Sequence, residues 1–292
     1  MKFSAEPRSR SGLLTRFLAM GGLLALVAGG LAACGGGSDD EPAVTNMAAT
    51  NARYSRPATL SISGRNLQAG ITVQMEGGCE NLTRVAGGTD DTQQFTCDVL
   101  AVGEHVANVY STGGSFLGRL TFQVRQPQVS ITTSKGVITL ELDAVAAPVT
   151  ARNFLNYIAS GFYRNVLVHR AIPARGLVSG GYTTGLVAKP PTQPPIALES
   201  NNGLKNVRGA LGMLRGESFD SATSQWYINT VDNPDLDYVD AEQPGYAVFG
   251  TVLTGLDVAD AITAVETRTD TATGLTDVPV VEIPITAASQ IR

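Results

Sequence analysis

The stretch "APVTARNFLNYIASGFYRNVLVHRAIP", residues 147–173, sets the architecture of the larger part of this chain. Its first half reads as a helix. Pro148 sits where a first-turn proline is tolerated, Ala151, Phe154, Leu155 and Ile158 form one apolar stripe, and Gly161 supplies the stop. Its second half reads as a strand carrying His169 and Arg170 side by side between apolar residues, then a proline and a glycine-rich turn. His169 is one of two histidines in the chain. A charged pair in an apolar strand costs free energy unless something uses it. Arg170 is therefore either a working group or a strand end that points to water.

Just upstream, "VSITTSKGVITLELD" gives two alternating strands around Ser134-Lys135-Gly136, a hairpin. Downstream the pattern is strand and loop, apart from a second helix at residues 256–263 with Leu256, Ala259 and Ile262 on one face. Residues 127–292 thus read as one mixed domain, mostly antiparallel β with two helices, and Pro127 marks its boundary. Residues 49–126 have a different character. "ATLSISG", "ITVQMEG", "QQFTCDV", "EHVANVYS" and "RLTFQVRQ" alternate apolar and polar between glycine-rich connectors. Short strands at this spacing predict a small immunoglobulin-like β-sandwich.

The N-terminus reads as an export signal. Lys2, Arg8, Arg10 and Arg16 form a basic region, and residues 17–33 are uncharged, short and glycine-punctuated. That is a signal peptide over residues 1–33 rather than a spanning helix. It ends in Leu31-Ala32-Ala33-Cys34, which resembles the bacterial lipoprotein box, so Cys34 is the expected lipid-bearing N-terminus. Residues 34–48 have the composition of a flexible tether. Losing residues 1–33 removes four positive charges and one negative, taking the formal net charge from −5 to −8. An acidic chain of this kind excludes a nucleic-acid partner. The expectation is a lipid-anchored protein of the bacterial cell envelope that faces the periplasm, held at the outer membrane in preference to the inner.

With Cys34 lipidated, Cys79 and Cys97 remain, 18 positions apart. In an oxidising compartment they are expected to form a disulfide, worth about 3 kcal/mol in the loop-entropy model. The alternative is two buried free thiols. Three cysteines and two histidines never cluster at ligand spacing, so no metal is expected. Phosphate-binding and dinucleotide glycine motifs are missing, so no cofactor is expected either. Gly216-Glu217-Ser218-Phe219-Asp220 approaches a nucleophile elbow but lacks the final glycine. An enzyme built from residues 127–292 works by binding and electrostatics, without a covalent intermediate.

Four segments occur in the order "FLNYIASGFYRNVLVHRAIP", "NNGLKNVRGALGM", "DSATSQWYIN" and "GYAVFGTVLTGLDVAD". Together they are similar to the cyclophilins, the cyclophilin-type peptidyl-prolyl isomerases, and especially to their exported bacterial branch. The resemblance covers residues 129–267, with a weaker tail. It implies a closed eight-stranded antiparallel barrel with two helices, behind the immunoglobulin-like module. It also implies isomerisation of Xaa–Pro bonds in unfolded or flexible proline-containing polypeptides. By its place in "HRAIP", Arg170 matches the family's catalytic arginine. Gln225 matches the glutamine that bonds substrate backbone and steadies that arginine. Tyr227 falls where a phenylalanine floors the proline pocket, Leu236 matches a pocket leucine, and Tyr246 takes a wall position. His169 is left with a structural role.

The departures from the family are as specific. In the ungapped match, Arg175 and Gly176 stand where the pocket has phenylalanine and methionine, and Val178 stands for a glutamine. A one-residue slip would instead bring Leu177 and Ser179 to the methionine and glutamine places. The ungapped version is preferred because Tyr182-Thr183 then falls in register with the family's Phe-Thr. Leu214, Arg215 and Gly216 replace a small and polar stretch of the binding groove, and Asp235 stands for the aromatic of drug-binding relatives. Losing an aromatic and a methionine from one pocket forfeits roughly 3–5 kcal/mol of apolar contact. Reduced efficiency or altered substrate preference is therefore expected, with weak inhibition by cyclosporin-type ligands. The alternative function is a catalytically weakened peptide-binding or chaperone module on the same scaffold. A third reading makes the N-terminal β module an adhesion or docking domain.

Overall fold

The computed structural model describes residues 41–292; the expected signal peptide, Cys34 and the start of the expected tether lie outside the described residues. The N-terminal part consists of β1 (Ala43–Thr50), β2 (Pro57–Arg65), β3 (Ile71–Glu76), β4 (Cys79–Arg84), β5 (Thr92–Val99), β6 (Gly103–Ser111) and β7 (Phe116–Val124). These form two antiparallel sheets, of order β1-β2-β5-β4 and β3-β6-β7. That is the strand order of a constant-type immunoglobulin sandwich. Alternation explains the packing: β2 buries Ala58, Leu60 and Ile62, and β5 buries Phe95, Cys97 and Val99. One expectation is corrected here. Residues 43–48, assigned to the tether, are the first part of β1, whose alternation is weak because only Val44 is buried. Cys79 and Cys97 are joined in a disulfide with Cα atoms 5.4 Å apart, linking β4 to its neighbour β5 within one sheet.

The second part runs through β8 (Gln128–Thr133), β9 (Gly136–Leu142), α1 (Pro148–Ala159), β10 (Val166–Ile172), β11 (Gly176–Thr183) and β12 (Val187–Ala188). It continues with β13 (Ala210–Met213), β14 (Trp226–Asn229), β15 (Val248–Thr254), α2 (Leu256–Thr263), β16 (Thr267–Arg268), β17 (Val278–Pro279) and β18 (Ile285–Gln290). Eight strands pair in the order β10-β11-β14-β13-β15-β9-β8-β18, all antiparallel, and β12 adds to β11. The two ends nearly meet. Asn165 N–H donates to Ile285 O at 2.8 Å and Val168 N–H to Ile283 O at 2.9 Å, closing the sheet into a barrel.

Helix α1 begins at Pro148, whose missing N–H belongs to an end that leaves donors unused anyway. The next donors are met by one carboxylate: Val149 N–H and Thr150 N–H donate to the two oxygens of Glu199, at 3.0 and 2.8 Å. Gly161, at φ +70°, ends the helical run. Its buried face carries Phe154 into contact with Tyr163, Trp226 and Phe249, the aromatic centre of the barrel.

The apolar core continues from barrel to sandwich. Tyr54, Val99 and Val124 pack in the same buried cluster as Val129, Leu140 and Phe154. The Tyr54 hydroxyl donates to Pro148 O at 2.9 Å, and Gln290 Nε2 donates to Tyr54 O at 3.0 Å. Residues 41–292 form one compact unit.

Candidate functional site

Strand register assigns the faces. Ala171, Leu177, Ile228 and Leu211 are successive cross-strand partners, and all four are buried in the barrel. One residue out of phase, Arg170, Val178, Tyr227 and Gly212 are likewise partners, on the opposite face. Side chains alternate faces with period two, so a slip of one residue would exchange the rows. Val178 and Gly176 thus share the face of Arg170, and Leu177 is buried on the barrel side.

On that outer face lies a cleft of about 190 Å³. Of the residues named from sequence, Arg170, Val178, Leu214, Tyr227, Leu236 and Tyr246 line it. Arg175 and Gly176, read as departures, and Leu177, the alternative at the methionine place, line it too, with Ile172 and Asn229. The last two were missed, although each lies two residues along a strand from a named residue, and period-two alternation would have found them.

The floor is built from close approaches. A Cβ on Gly212 would stand 2.0 Å from Tyr227 Cζ, so the ring lies where only glycine leaves room. A Cβ on Gly176 would stand 2.2 Å from Ile228 O, so this backbone leaves no room for a side chain there. The Tyr227 ring meets Tyr246 edge-on at 6.1 Å. Its hydroxyl, which burial would otherwise strand, donates to Asn206 Oδ1 at 2.6 Å. Asn206 in turn donates from its backbone N–H and its Nδ2 to Asp237 Oδ1 at 2.7 and 3.1 Å. Asn229 Nδ2 also donates to Asn206 Oδ1, and Asn233 Nδ2 donates to Asn229 Oδ1 at 2.8 Å. Burial holds the Tyr227 phenol well above its ordinary pKa, so it stays a donor. Nothing local in the sequence pointed to Asn206.

Arg170 reaches across the rim of the cleft to the β16–β17 hairpin. Its Nε donates to Thr276 O at 3.1 Å, and its Nη2 donates to Thr276 Oγ1 at 3.0 Å and Asp277 Oδ2 at 2.9 Å. The Arg170 guanidinium, with the Thr276 hydroxyl, keeps the Asp277 carboxyl below the usual range. Gln225, assigned the steadying role by resemblance, is not among the residues lining the cleft; its amide packs on Gly181, where a Cβ would come within 2.8 Å of its Cδ.

Arg175 pairs with Asp235 at the mouth of the cleft, and this contact lowers the Asp235 pKa. Arg215 does not line the cleft but stands behind its wall, with its guanidinium 5.1 Å from the centre of the Tyr246 ring and 5.0 Å from that of Phe219. Gly216 lies farther out, its N–H donating to Ser221 Oγ at 2.8 Å. His169 faces away from the cleft chemistry: it is buried, packs on Tyr182 at 4.8 Å, and has its pKa lowered to about 4 by burial, with the Arg170 charge adding to the effect.

An apolar cleft with a polar-tethered aromatic floor and one directed guanidinium suits a small cyclic side chain beside an amide. The family model described as cyclophilin type peptidyl-prolyl cis-trans isomerase/CLD matches residues 128–290. Over 140 residues the chain is 46% identical to peptidyl-prolyl cis-trans isomerase A of Dickeya dadantii, covering 48% of this chain and 73% of the relative. Over 141 residues it is 42% identical to peptidyl-prolyl cis-trans isomerase B of Escherichia coli, covering 48% of this chain and 85% of the relative. A solved cyclophilin type isomerase of Cryptosporidium parvum is 22% identical, with a TM-score of 0.47, covering 57% of this chain and 99% of that one.

Proposed function

This chain belongs to the cyclophilin-type peptidyl-prolyl cis-trans isomerases, and from that premise we propose that it turns Xaa–Pro bonds of exported proteins by electrostatics alone, with Arg170 as the catalytic residue. Resonance in the prolyl amide sets a barrier of about 18–20 kcal/mol. Twisting the bond localises the lone pair on nitrogen, which becomes pyramidal and more basic. A guanidinium aimed at that nitrogen interacts with the twisted state more strongly than with the planar one, and only such differential binding accelerates the step. The apolar cleft over Tyr227 holds the ring, and arginine keeps its charge and fixed donors throughout. The observation that carries this reading is the row of Arg170, Val178 and Tyr227 on one face of adjacent strands.

The Leu31-Ala32-Ala33-Cys34 run supports lipid anchoring at Cys34, and the Cys79–Cys97 disulfide supports an oxidising compartment. The clients would then be unfolded or flexible exported polypeptides at the periplasmic face of the envelope, with the outer membrane the preferred site. Mass spectrometry of the mature N-terminus tests this: a diacylglyceryl-modified Cys34 is expected, and a chain still carrying earlier residues would refute it.

A second reading, a peptide-binding or chaperone module with little catalysis, is favoured by the ion pair of Arg175 with Asp235 where the family has apolar wall. Exchange rates in peptides with a series of residues ahead of proline separate the two. Acceleration of exchange supports the isomerase; binding without acceleration in every peptide supports the module.

A further inference from the structure

We propose that Asp277, together with Thr276, is the positioning residue of Arg170; this rests on Arg170 facing the prolyl amide. A guanidinium has five N–H donors. Three are engaged by these two consecutive residues: Nε–H with Thr276 O, and both Nη2 hydrogens with Thr276 Oγ1 and Asp277 Oδ2. Nη1 has no hydrogen-bond partner among the described residues, so its two donors are the ones left for a substrate. No other side chain of the site does this work. Val178, the cross-strand partner of Arg170, offers only methyl groups, and the Gln225 amide lies on Gly181.

Asp277 is held in place for this role. It adopts φ +58°, the left-handed region that side chains avoid unless the surroundings enforce it. Two contacts enforce it. Ala171 N–H, the residue after Arg170, donates to Asp277 O at 2.8 Å, and Thr276 Oγ1 donates to Asp277 Oδ2 at 2.8 Å. The turn that precedes it is closed on itself: Thr273 N–H and Oγ1 donate to Asp270 Oδ2 at 2.9 and 2.7 Å, and Asp270 N–H donates to Leu275 O at 2.8 Å. Pairing of Thr267 with Pro279 and Arg268 with Val278 completes a hairpin that delivers the carboxylate to a strand more than a hundred positions earlier. The ion pair is about two-thirds shielded from water, with side-chain exposures of 34% and 31%, which makes it directional.

The test uses the full chain and a proline tetrapeptide, with kcat and KM measured for wild type, Asp277→Gly, Asp277→Asn, Arg170→Ala and the Arg170→Ala/Asp277→Gly double variant. Glycine accepts the backbone angle, so the first variant removes the carboxylate without adding strain. Asp277→Gly is expected to lower kcat on the order of tenfold with KM nearly unchanged. Asp277→Asn, whose amide oxygen still accepts from Nη2, recovers most of it, and the double variant equals Arg170→Ala alone. The Arg170 Nη–H resonances, read without substrate at low temperature, are expected to show hindered rotation and exchange protection at Nη2 in wild type and to lose both in Asp277→Gly. An active wild type with an unaffected Asp277→Gly, a loss that asparagine does not recover, or unchanged Nη–H resonances overturns the positioning role alone. A wild type without acceleration overturns the isomerase reading and, with it, this role.

Discussion

Arg175 and Asp235 meet in one ion pair across the mouth of the cleft, the first from the turn after β10 and the second from the 3₁₀ turn Pro234–Leu236. Counted separately, each position is a lost apolar contact. Together they are a single exchange, in which a charged bridge stands where relatives have hydrophobic wall. The cost in apolar surface is real, yet neither charge is left uncompensated. Both partners are largely exposed, so the bridge contributes only about 0–1 kcal/mol to folding. Its influence falls on what approaches the proline.

Asp235→Ala is therefore expected to leave the melting temperature nearly unchanged while freeing the Arg175 charge at the mouth. Peptides with an acidic residue next to proline should then gain in kcat/KM over basic ones, severalfold and less so at high salt. Equal ratios for acidic and basic peptides in wild type and variant would contradict this.

The polar network under the floor gives an ordered pair of stabilities. Tyr227→Phe leaves Asn206 Oδ1 still accepting from Asn229, so its cost is about 1 kcal/mol. Asn206→Leu strands the Tyr227 hydroxyl and the Asn229 Nδ2 and removes the Nδ2 donor from Asp237, leaving only the backbone N–H, so its cost is about 2–4 kcal/mol. Denaturant unfolding checks the order. A Tyr227→Phe variant less stable than Asn206→Leu would contradict the network described.

His169 imposes a pH dependence whose sign follows from its lowered pKa. Unfolded, it takes up a proton as pH falls through about 6.5. Folded and buried, it resists until about 4. Its contribution is thus complete above the unfolded value and is lost between these limits, roughly 3 kcal/mol in all. The gap in unfolding free energy between wild type and His169→Phe should shift by that amount from pH 7 to pH 4. A pH-independent gap would place the imidazole in water.

Much of this was legible in the sequence because it is local. The helix at Pro148 to Ala159, the hairpin at Lys135 and the second helix follow from periodicity and from proline and glycine positions. Family motifs supplied Arg170, Tyr227, Leu236 and Tyr246, and all four line one cleft. What sequence did not yield is non-local or compensatory. Strand β4, "CENLTR", is too polar to show a buried face. Asn206 and Asp277 act on residues 21 and 107 positions away. The pairing of Arg175 with Asp235 becomes visible only when the turns that carry them are folded beside each other.

The continuity of the core predicts how the chain melts. Because Tyr54, Val99 and Val124 pack with barrel residues, the sandwich and barrel should unfold in one calorimetric transition. Reducing Cys79–Cys97 should lower that transition by about 3 kcal/mol rather than split it. Two resolved transitions in the oxidised protein would contradict a shared core.

The most direct test is cis/trans exchange of an Xaa–Pro peptide followed by NMR, with wild type and Arg170→Ala side by side. Wild type is expected to accelerate exchange, and Arg170→Ala to lose about 10²–10³-fold of kcat/KM, the scale of removing one preorganised electrostatic group. Acceleration that survives Arg170→Ala unchanged would contradict the mechanism at its centre.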